Sequence, residues 1–359
     1  MARSSSILLL AFMSVAAVAA RAQEPGQFLT ADPALGQPPG QVMPAPSAEP
    51  SQNWAKAFGL EEWEYGGLYA QGELLYMLRD NRSATPATIL VLGAGGSSFP
   101  GSTVLSTGAP EFNMEAGAKA TIGWRATPCD AFELSYFGIF GMNASATATG
   151  DNSLAIPGDL GLASLDFFAA ERMTLEYSCQ LHNAELNYFY GDGAVQFLAG
   201  IRYVALDEKF NIQSTDTDTG TSNYHIQTTN DLYGAQIGLR AQHCHTFWHW
   251  TFTGKAGMFG NKAEQNQFVT DFPPGFFLRD PRGSSASNMA FVGDLNLSVA
   301  RQITEIWAIR GGYSMIWIEG VALAPNQLDF TNTPDSGTDV HTNGGVFFHG
   351  VNLGLEARW

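Results

Sequence analysis

Alternation of apolar and polar residues is the feature that most limits what this 359-residue chain can fold into. It is clearest over residues 114–125, where Met, Ala, Ile and Trp alternate with Glu, Gly, Lys, Thr and Arg. The final residues, 351–359, alternate in the same way and end on Trp359. Because successive side chains of a strand point to opposite faces of its sheet, a period of two predicts strands with one apolar and one polar face.

Ten segments carry this pattern, and no long segment shows the 3.6-residue period of a helix. We therefore predict a single all-β domain over residues 63–359. The predicted strands lie near 67–79, 114–125, 131–143, 177–190, 194–209, 228–242, 246–261, 288–301, 305–318 and 351–359.

The connections between these strands alternate between short and long. Short turns are predicted near 126–130, 191–193, 243–245 and 302–304, and long loops near 80–111, 144–176, 210–227, 262–287 and 319–345. This is the arrangement of a closed antiparallel transmembrane β-barrel with short periplasmic turns and long extracellular loops. The barrel would have about ten strands, or twelve if part of 80–111 or 144–176 formed another hairpin.

Aromatic residues favour a membrane barrel over the alternative, a secreted soluble β-protein. Amphipathic rings prefer the membrane interface, so a ring of them beside the short turns is typical of a periplasmic girdle. The residues concerned are Trp124, Phe132, Tyr188, Tyr190, Trp248, Trp250, Trp307 and Trp359. A barrel in lipid must also close, because lipid cannot satisfy free strand edges.

The first 62 residues resemble export and linker segments. Arg3 precedes an uncharged apolar run at 7–20, and Ala20-Arg21-Ala22 predicts cleavage of a signal peptide, residues 1–22. Residues 23–62 are rich in Pro near their start and predict a periplasmic linker. These segments predict export to the outer membrane of a Gram-negative-type envelope, with outer-membrane lipid as the first partner.

The charge of the chain excludes one class of partner and raises a question about the lumen. The net charge is −16, and losing Arg3 and Arg21 with the signal peptide makes it −16 − 2 = −18, which argues against a nucleic-acid binder. The polar strand faces are nearly balanced, so they predict either the lining of a water-filled pore or an ion-pair network that fills the barrel. The predicted pore-lining residues are Arg79, Lys119, Arg125, Arg202, Arg240, Lys255, Arg310, Arg358, Glu73, Glu115, Glu133, Glu185, Asp294 and Glu356.

Four short blocks of sequence resemble a known family. The blocks are Leu198-Ala199-Gly200-Ile201-Arg202-Tyr203, Ala184-Glu185-Leu186-Asn187, Tyr233-Gly234-Ala235-Gln236-Ile237-Gly238 and Gly320-Val321-Ala322-Leu323-Ala324-Pro325. In these blocks the chain resembles the beta-barrel porin-7 family of outer-membrane barrels, and the likeness covers roughly residues 63–359. The resemblance implies the barrel architecture and, by its name, a porin, but no transported substrate.

Candidate chemical groups are few. Asp216 and Asp218 in one loop, with Asp339 and His341 in another, are similar to the acid and imidazole groups of omptin-type proteases. Both pairs lie in polar stretches typical of solvent-exposed loop tips, which is the interpretation we favour, so no enzyme is predicted.

Histidines and cysteines do not predict a metal site. His243, His245 and His249 with Cys244 lie beside a short turn and are interpreted as interfacial residues, so neither a metal nor a cofactor is predicted. Cys129, Cys179 and Cys244 are an odd number, which leaves at least one thiol unpaired within the chain and any disulfide pairing open.

Taken together, these patterns predict a porin-like passive channel for small polar solutes or ions. The alternative is a structural or surface-display barrel with a filled lumen, and the third hypothesis is an omptin-like protease. Trp359, at the end of an alternating strand, predicts that the last strand is recognised by the barrel-assembly machinery. Oligomeric state and solute preference are left open by the sequence.

Overall fold

The computed structural model describes residues 67–80, 88–91, 102–191, 194–218, 220–245, 248–272 and 276–359. The predicted signal peptide at 1–22 and the predicted linker at 23–62 lie outside the described residues.

Twelve strands are described, and ten of them form a closed antiparallel ring. Around the ring the order is β1, β4, β5, β6, β7, β8, β9, β10, β11 and β12, with β12 paired back to β1 and β5 paired to β6. The ring confirms the predicted barrel and the number of ten. The strands are β1 (Gly67–Asp80), β2 (Thr88–Val91), β3 (Ser102–Ser106), β4 (Glu115–Arg125), β5 (Asp130–Ala155), β6 (Phe168–Tyr190), β7 (Val195–Asp216), β8 (Gly220–His245), β9 (Trp248–Asp271), β10 (Phe276–Gln302), β11 (Trp307–Val321) and β12 (Gly344–Arg358).

The hairpin of β2 and β3 does not enter the ring. β2 pairs only with β3 and with the last residues of β5, at Leu154 and Ala155. The alternative of twelve strands in the barrel is therefore not adopted. The described helices are short: α1 (Gly158–Leu162) and two 3-10 helices, at Leu165–Phe167 and Ala324–Gln327.

Among the described residues, no helix is long and apolar enough to cross a bilayer.

Large exposed apolar side chains form a belt around the part of the ring nearest the short turns. In β1 the belt runs from Leu68 to Tyr76, and in β12 from Val351 to the terminal Trp359. Nine residues match the length that a tilted strand needs to cross a bilayer. All eight aromatics predicted for the periplasmic girdle are exposed in the belt. The Phe132 ring contacts those of Trp124 and Tyr188, with centroids 6.1 and 5.1 Å apart.

Above the belt the sense of the alternation is reversed, as β6 shows. Near its short turn the outward residues are apolar, such as Tyr188 and Leu186, and the inward residues are polar, such as Asn187 and Glu185. Past His182 the inward residues are Leu181, Cys179, Tyr177, Leu175 and Met173, all buried, while the outward ones include Gln180, Ser178 and Thr174. At β6 the upper barrel therefore has an apolar interior and a polar exterior, like a soluble barrel, whereas β8 and β9 also turn polar residues such as Asn230 and Gln265 inward.

The lengths predicted for three of the long loops were wrong, because most of the residues assigned to them continue the strands. β5 runs to Ala155 and β6 starts at Phe168, so within 144–176 the connection is residues 156–167. The stretches 210–227 and 262–287 likewise belong mainly to β7, β8, β9 and β10. Strands of 22 to 27 residues exceed the membrane-crossing length about twofold, so the barrel continues well beyond the bilayer on the extracellular side.

Candidate functional site: a charged cavity below a filled lumen

A cavity of about 650 Å³ occupies the barrel interior at its periplasmic end. Arg125, Pro128, Ala194 and Arg358 line it, and each lies at or beside a strand end next to the short turns. Pro128 and His243, also on its lining, are exposed, so the cavity opens at this end.

Ion pairs between neighbouring and opposite strands line the walls of the cavity. The Arg240 guanidinium donates two hydrogen bonds to the Glu133 carboxylate, at 2.6 and 2.8 Å. Lys255 Nζ lies 2.8 Å from Glu185 Oε1 and 3.5 Å from Asp294 Oδ2. A paired, multiply hydrogen-bonded charge is the form in which buried charges are tolerated.

Two arginines donate hydrogen bonds to Glu356 at the mouth of the cavity. Arg310 donates to its Oε2 at 2.6 Å, and Arg358 donates to its Oε1. The Glu356 side chain is buried, while the two guanidiniums are partly accessible from the cavity. One carboxylate thus serves two cations.

The predicted pore-lining residues divide into three groups. Glu73 and Arg202 lie just behind the cavity wall, since Glu73 is 3.8 Å from Lys119 and Arg202 is 3.5 Å from Asp294. Glu115 is half-buried at the start of β4 and Arg79 is deeply buried above, and neither lines the cavity. The ten that line it are Lys119, Arg125, Glu133, Glu185, Arg240, Lys255, Asp294, Arg310, Glu356 and Arg358.

An apolar layer forms the ceiling of the cavity. Leu75, Met77, Phe137 and Ile316 line its upper end and are all buried. They belong to a continuous apolar core that includes Leu181, Leu206, Phe210, Leu232, Phe259, Ile318 and Phe348. Directly above the cavity these apolar side chains fill the lumen, and further up the strands buried polar residues such as Asn230, Asn261 and Gln265 lie among them.

Arg79 and Glu208 are the charged pair inside this apolar layer. Arg79 Nη2 lies 2.5 Å from Glu208 Oε1, and both side chains are almost fully buried. The Tyr177 hydroxyl accepts from Arg79 at 2.6 Å and donates to Glu208 Oε2 at 2.8 Å. The Arg79 guanidinium also lies over the rings of Phe112 and Tyr177, at 4.7 and 4.5 Å from their centroids. Arg79 was predicted to line a pore, but it lies in the apolar layer above the cavity.

The segment between β11 and β12, residues 322–343, folds into the barrel and is here called the inner loop. At its start, the Asn230 side chain bonds both the amide and the carbonyl of Ala322, at 2.7 and 2.9 Å. The amide of Ala324 donates to Glu208 Oε2 at 2.8 Å. The 3-10 helix Ala324–Gln327 is buried throughout. This part of the predicted extracellular loop 319–345 is thus inside the lumen.

Side chains of β9 and β10 hold the rest of the inner loop through its backbone carbonyls. Gln265 donates to the carbonyls of Gly337 and Asp339, at 3.1 and 2.5 Å. Arg279 donates to those of Asp329 and Thr331 at 3.1 and 2.6 Å, and Arg282 to those of Pro334 and Ser336 at 2.6 and 2.7 Å. These bonds keep the inner loop inside the lumen between the apolar layer and the extracellular strand ends.

Within the inner loop, Asp329 is held in its charged form. Partial burial acts to raise its pKa, but hydrogen bonds from the hydroxyl and amide of Thr331 and the amide of Gly337 outweigh this and lower the pKa below its usual value. A carboxylate with several donors fixes the turn around it. The loop therefore has its own internal structure in addition to its contacts with the wall.

The acids and histidine similar to omptin groups lie in local loop structure. The Asp218 amide donates to Asp216 Oδ1 at 2.8 Å, a turn at the tip of the β7–β8 hairpin. Asp339 and His341 are exposed in the inner loop, where the backbone of His341 bonds Gln327. His243 and His249 line the cavity near the short turns. Cys129, beside a short turn, and Cys179, buried in the upper part of β6, are free thiols.

Several residues that shape the lumen were missed by sequence reasoning. Glu208 shares the inward parity of Arg202 on β7, so period two places it in the lumen, but it was not among the predicted pore-lining residues. Arg279 and Arg282 were assigned to an extracellular loop and in fact anchor the inner loop. A usable signal existed in the apolar stretch Val321-Ala322-Leu323-Ala324-Pro325, which is too apolar for a loop tip in water.

Comparison with solved structures finds outer-membrane barrels at low identity. The outer membrane protease OmpT from Escherichia coli is 11% identical with a TM-score of 0.43, covering 82% of this chain and 97% of that one. The translocator domain of the autotransporter NalP from Neisseria meningitidis is 10% identical with a TM-score of 0.33, covering 85% and 93%. The toluene transporter TodX from P. putida is 8% identical with a TM-score of 0.30, covering 82% and 90%.

No curated protein sequence matches this chain. Residues 83–359 match the family described as "Putative beta barrel porin-7", which covers well over half of the sequence. With its closed ring of ten strands and its apolar belt, the chain is an outer-membrane β-barrel and belongs to the beta barrel porin-7 family.

Proposed function

We propose that this protein is a closed outer-membrane barrel, with working surfaces at its extracellular extension and its periplasmic cavity rather than along an open pore. The observation that carries the proposal is the apolar layer above the cavity, in which Leu75, Met77, Phe137 and Ile316 are buried. Passage of small polar solutes needs a continuous polar path, because moving a polar group through an apolar layer costs several kcal/mol unless its hydrogen bonds are replaced. Ten strands enclose a lumen narrow enough for side chains to fill.

A gated passive channel is the second candidate, and one observation favours it. Residues 329–341 of the inner loop are held by hydrogen bonds from Gln265, Gln267, Arg279 and Arg282, with Phe330 as the apolar residue that packs against the core. Hydrogen bonds of this kind exchange with water at modest cost. Release of the loop would expose the wall, but the apolar layer of the strands would still have to open.

Single-channel recording in a planar bilayer tests both candidates. We expect no current steps from the wild-type protein, since the apolar layer and the inner loop seal the lumen in series. A variant in which residues 326–340 are replaced by a short Gly-Ser linker separates the two functions. Current from this variant alone would favour the gated channel, silence in both would favour the closed barrel, and steady current from the wild type would overturn the proposal.

We also propose that the protein is not an enzyme. In support, the bonds of the Asp216-Asp218 pair and of His341 are local ones that stabilise turns, and the carboxylates Glu133 and Glu185 of the cavity are each paired with a cation. A peptidase assay on intact barrels, with Asp339→Asn as the variant, tests this. Activity in the wild type that the variant lacks would contradict it.

The terminal strand is proposed to be the part that the barrel-assembly machinery recognises. Trp359 is exposed and its amide donates to the carbonyl of Leu68 at 2.9 Å, so it sits at the junction that closes the ring. We expect Trp359→Ala to lower the amount of barrel in the outer membrane severalfold, with Trp307→Ala, another girdle tryptophan, as the matched control. Equal outer-membrane levels of both variants, measured by fractionation, would count against a special role for the terminal residue.

A further inference from the structure

The barrel continues above the apolar belt on one side only. Strands β5 to β10 have 22 to 27 residues each, whereas β1, β4, β11 and β12 have 11 to 15. The six long strands therefore form an open, curved sheet on the extracellular side, with β5 and β10 as its outer strands. An outer strand presents unpaired backbone groups unless another part of the chain covers them.

The upper half of β10 is an edge of this kind. β9 pairs with β10 from Phe276 onwards, but β11 pairs with it only from Phe291 onwards. β11 leaves the ring at Gly320, whose φ of +83° turns the chain towards the inner loop. Among the described residues, no backbone–backbone hydrogen bond reaches residues 283–289 from the side opposite β9.

The alternation of the strand identifies the free backbone groups. A Cβ added at Gly320 would lie 2.7 Å from the Met289 carbonyl oxygen, so this carbonyl points away from β9. Successive residues of an antiparallel strand direct their N–H and C=O to opposite sides, and the pairing with β9 has no register shift over this segment. Gly283, Ser285 and Ser287 therefore direct both groups to the free side, and all three residues are exposed.

Features that protect a strand edge precede this segment but do not extend into it. Asp280, Pro281 and Arg282 lie before it in β10, together with two register shifts. Residues 283–289 contain neither a proline nor a charged residue. The edge of β5 differs, since its end is paired with β2 and its pairing with β6 is interrupted by register shifts. The regular, uncharged edge of β10 is thus the one open to a further strand.

The free segment lies above the bilayer. Ser285 and Ser287 pair with Glu264 and Lys262 of β9, whose side chains form an exposed ion pair at 2.6 Å. Exposed charges of this kind are costly in hydrocarbon, so this level of the sheet faces water. A ligand of the edge is therefore a molecule of the cell surface or the medium.

A second barrel in the same membrane does not fit this edge. Strands tilt by about 40° from the barrel axis, in the same sense all around the barrel. Where two upright barrels face each other, their strands therefore tilt in opposite directions and cross at about 80°. Strands crossing at that angle cannot form a ladder, so the partner is an extended segment that is free to align with β10.

We propose that the free edge of β10 binds an extended polypeptide segment of a cell-surface partner, which adds a strand antiparallel to residues 283–289. Main-chain hydrogen bonds to Gly283, Ser285 and Ser287 supply the affinity, and the side chains of the added strand supply specificity. The added strand runs away from the membrane, so an apolar residue near its C-terminal end meets the exposed ring of Phe277. This inference rests on the proposed function, in which the extracellular extension is a working surface.

Fluorescence anisotropy on the full chain in a nonionic detergent tests the edge. The probe is a labelled synthetic peptide that copies residues 260–271 of β9. In the barrel this segment pairs with residues 276–289 from the other side, and its Phe268 ring lies 6.2 Å from that of Phe277. The side chains of the probe therefore already match those of β10, and we expect saturable binding.

N-methylation of the probe separates backbone pairing from side-chain contact. The outward residues of β10 turn their backbone to the free side, so the outward residues of an added strand turn theirs towards β10. Methyl groups on the amides that copy Lys262 and Glu264, both outward, should weaken binding about tenfold or more, because two hydrogen bonds are lost. Methyl groups on the amides that copy Ala263 and Gln265 point to water and should leave binding unchanged.

Ser285→Pro is the corresponding variant of the protein. It removes an N–H that points to the free side, so it costs no ladder bond with β9, and proline is tolerated on edge strands. We expect it to weaken probe binding about tenfold or more, because the ring also obstructs the approach of a strand. Ser285→Ala keeps the N–H and is the matched control, with unchanged affinity.

Folding of each variant is checked by the heat-dependent shift of its mobility on a gel, and Ser287→Pro replaces Ser285→Pro if the latter does not fold. Absence of probe binding, or equal binding of the two methylated peptides, would overturn the proposal. Binding that the proline variant leaves unchanged would place the peptide elsewhere and contradict it as well. The closed lumen is tested by conductance, so the two proposals can fail separately.

Discussion

Replacing Glu208 with leucine is expected to destabilise the barrel by about 3–5 kcal/mol, the cost of leaving one member of a buried ion pair alone. Arg79 would keep its charge within an apolar layer, where Glu208 is now the carboxylate beside it. The Tyr177 hydroxyl and the Ala324 amide would lose their acceptor as well. The substitution therefore weakens both the strand wall and the attachment of the inner loop.

The double variant Arg79→Met/Glu208→Leu separates a charge effect from a general packing effect. Apolar residues of similar volume can replace a buried pair at little cost, so we expect the double variant to regain about half or more of the lost stability. Urea unfolding in phospholipid vesicles, followed by tryptophan fluorescence, measures both. A double variant less stable than Glu208→Leu alone would show that the pair's charge is not what matters at this position.

The membrane-spanning part of the fold could be predicted from sequence because two requirements coincide there. Lipid outside requires apolar residues at every second position, and the charged lumen requires polar ones between them. β4 satisfies both along its whole length: Ala116, Ala118, Ala120, Ile122 and Trp124 are all exposed, as predicted. Ten of the fourteen predicted lumen residues line one cavity for the same reason.

Above the membrane the same rule fails, because water replaces lipid. In β5 the outward residues become Asn143, Ser145 and Thr147, and the apolar Met142 turns inward. A shift of register between Ile139 and Met142 also changes which parity faces the core. Polar, Thr-rich and Ser-rich strands of this kind resemble loops in sequence, so their extent was underestimated.

The filled lumen could not be predicted from strand patterns, because it depends on where one connection folds. The inner loop is inside the barrel through bonds from Asn230, Gln265 and Arg279, which lie on three different strands and at a distance from the loop in sequence. Period-two analysis assigns a face to each residue but says nothing about which loop returns to the lumen. The choice between an open pore and a filled barrel therefore needed the structure.

Ala118→Arg is expected to destabilise the barrel in lipid by about 2–4 kcal/mol, the cost of a cation on the lipid face near the bilayer midplane. Ala118 is exposed on β4 and lies opposite Leu74, another exposed apolar residue, in the register with β1. It is six residues from Trp124 in the periplasmic girdle. At about 3.3 Å per residue and a strand tilt near 40°, six residues place Ala118 about 15 Å above the girdle, close to the middle of the apolar belt.

Two control variants separate the effect of the added charge from those of side-chain size and of the strand face. Ala118→Leu adds volume without charge and should be tolerated, because lipid accommodates an apolar side chain of any shape. Lys119→Gln, one residue away, removes a charge from the lumen side, where Lys119 Nζ is 3.8 Å from Glu73 Oε1. A long contact of a partly exposed cation contributes little, so we expect a loss below about 1 kcal/mol. Unfolding in vesicles should therefore rank Ala118→Arg far below both controls, whereas equal stability of Ala118→Arg and Lys119→Gln would mean that the lipid and lumen faces of β4 have been exchanged.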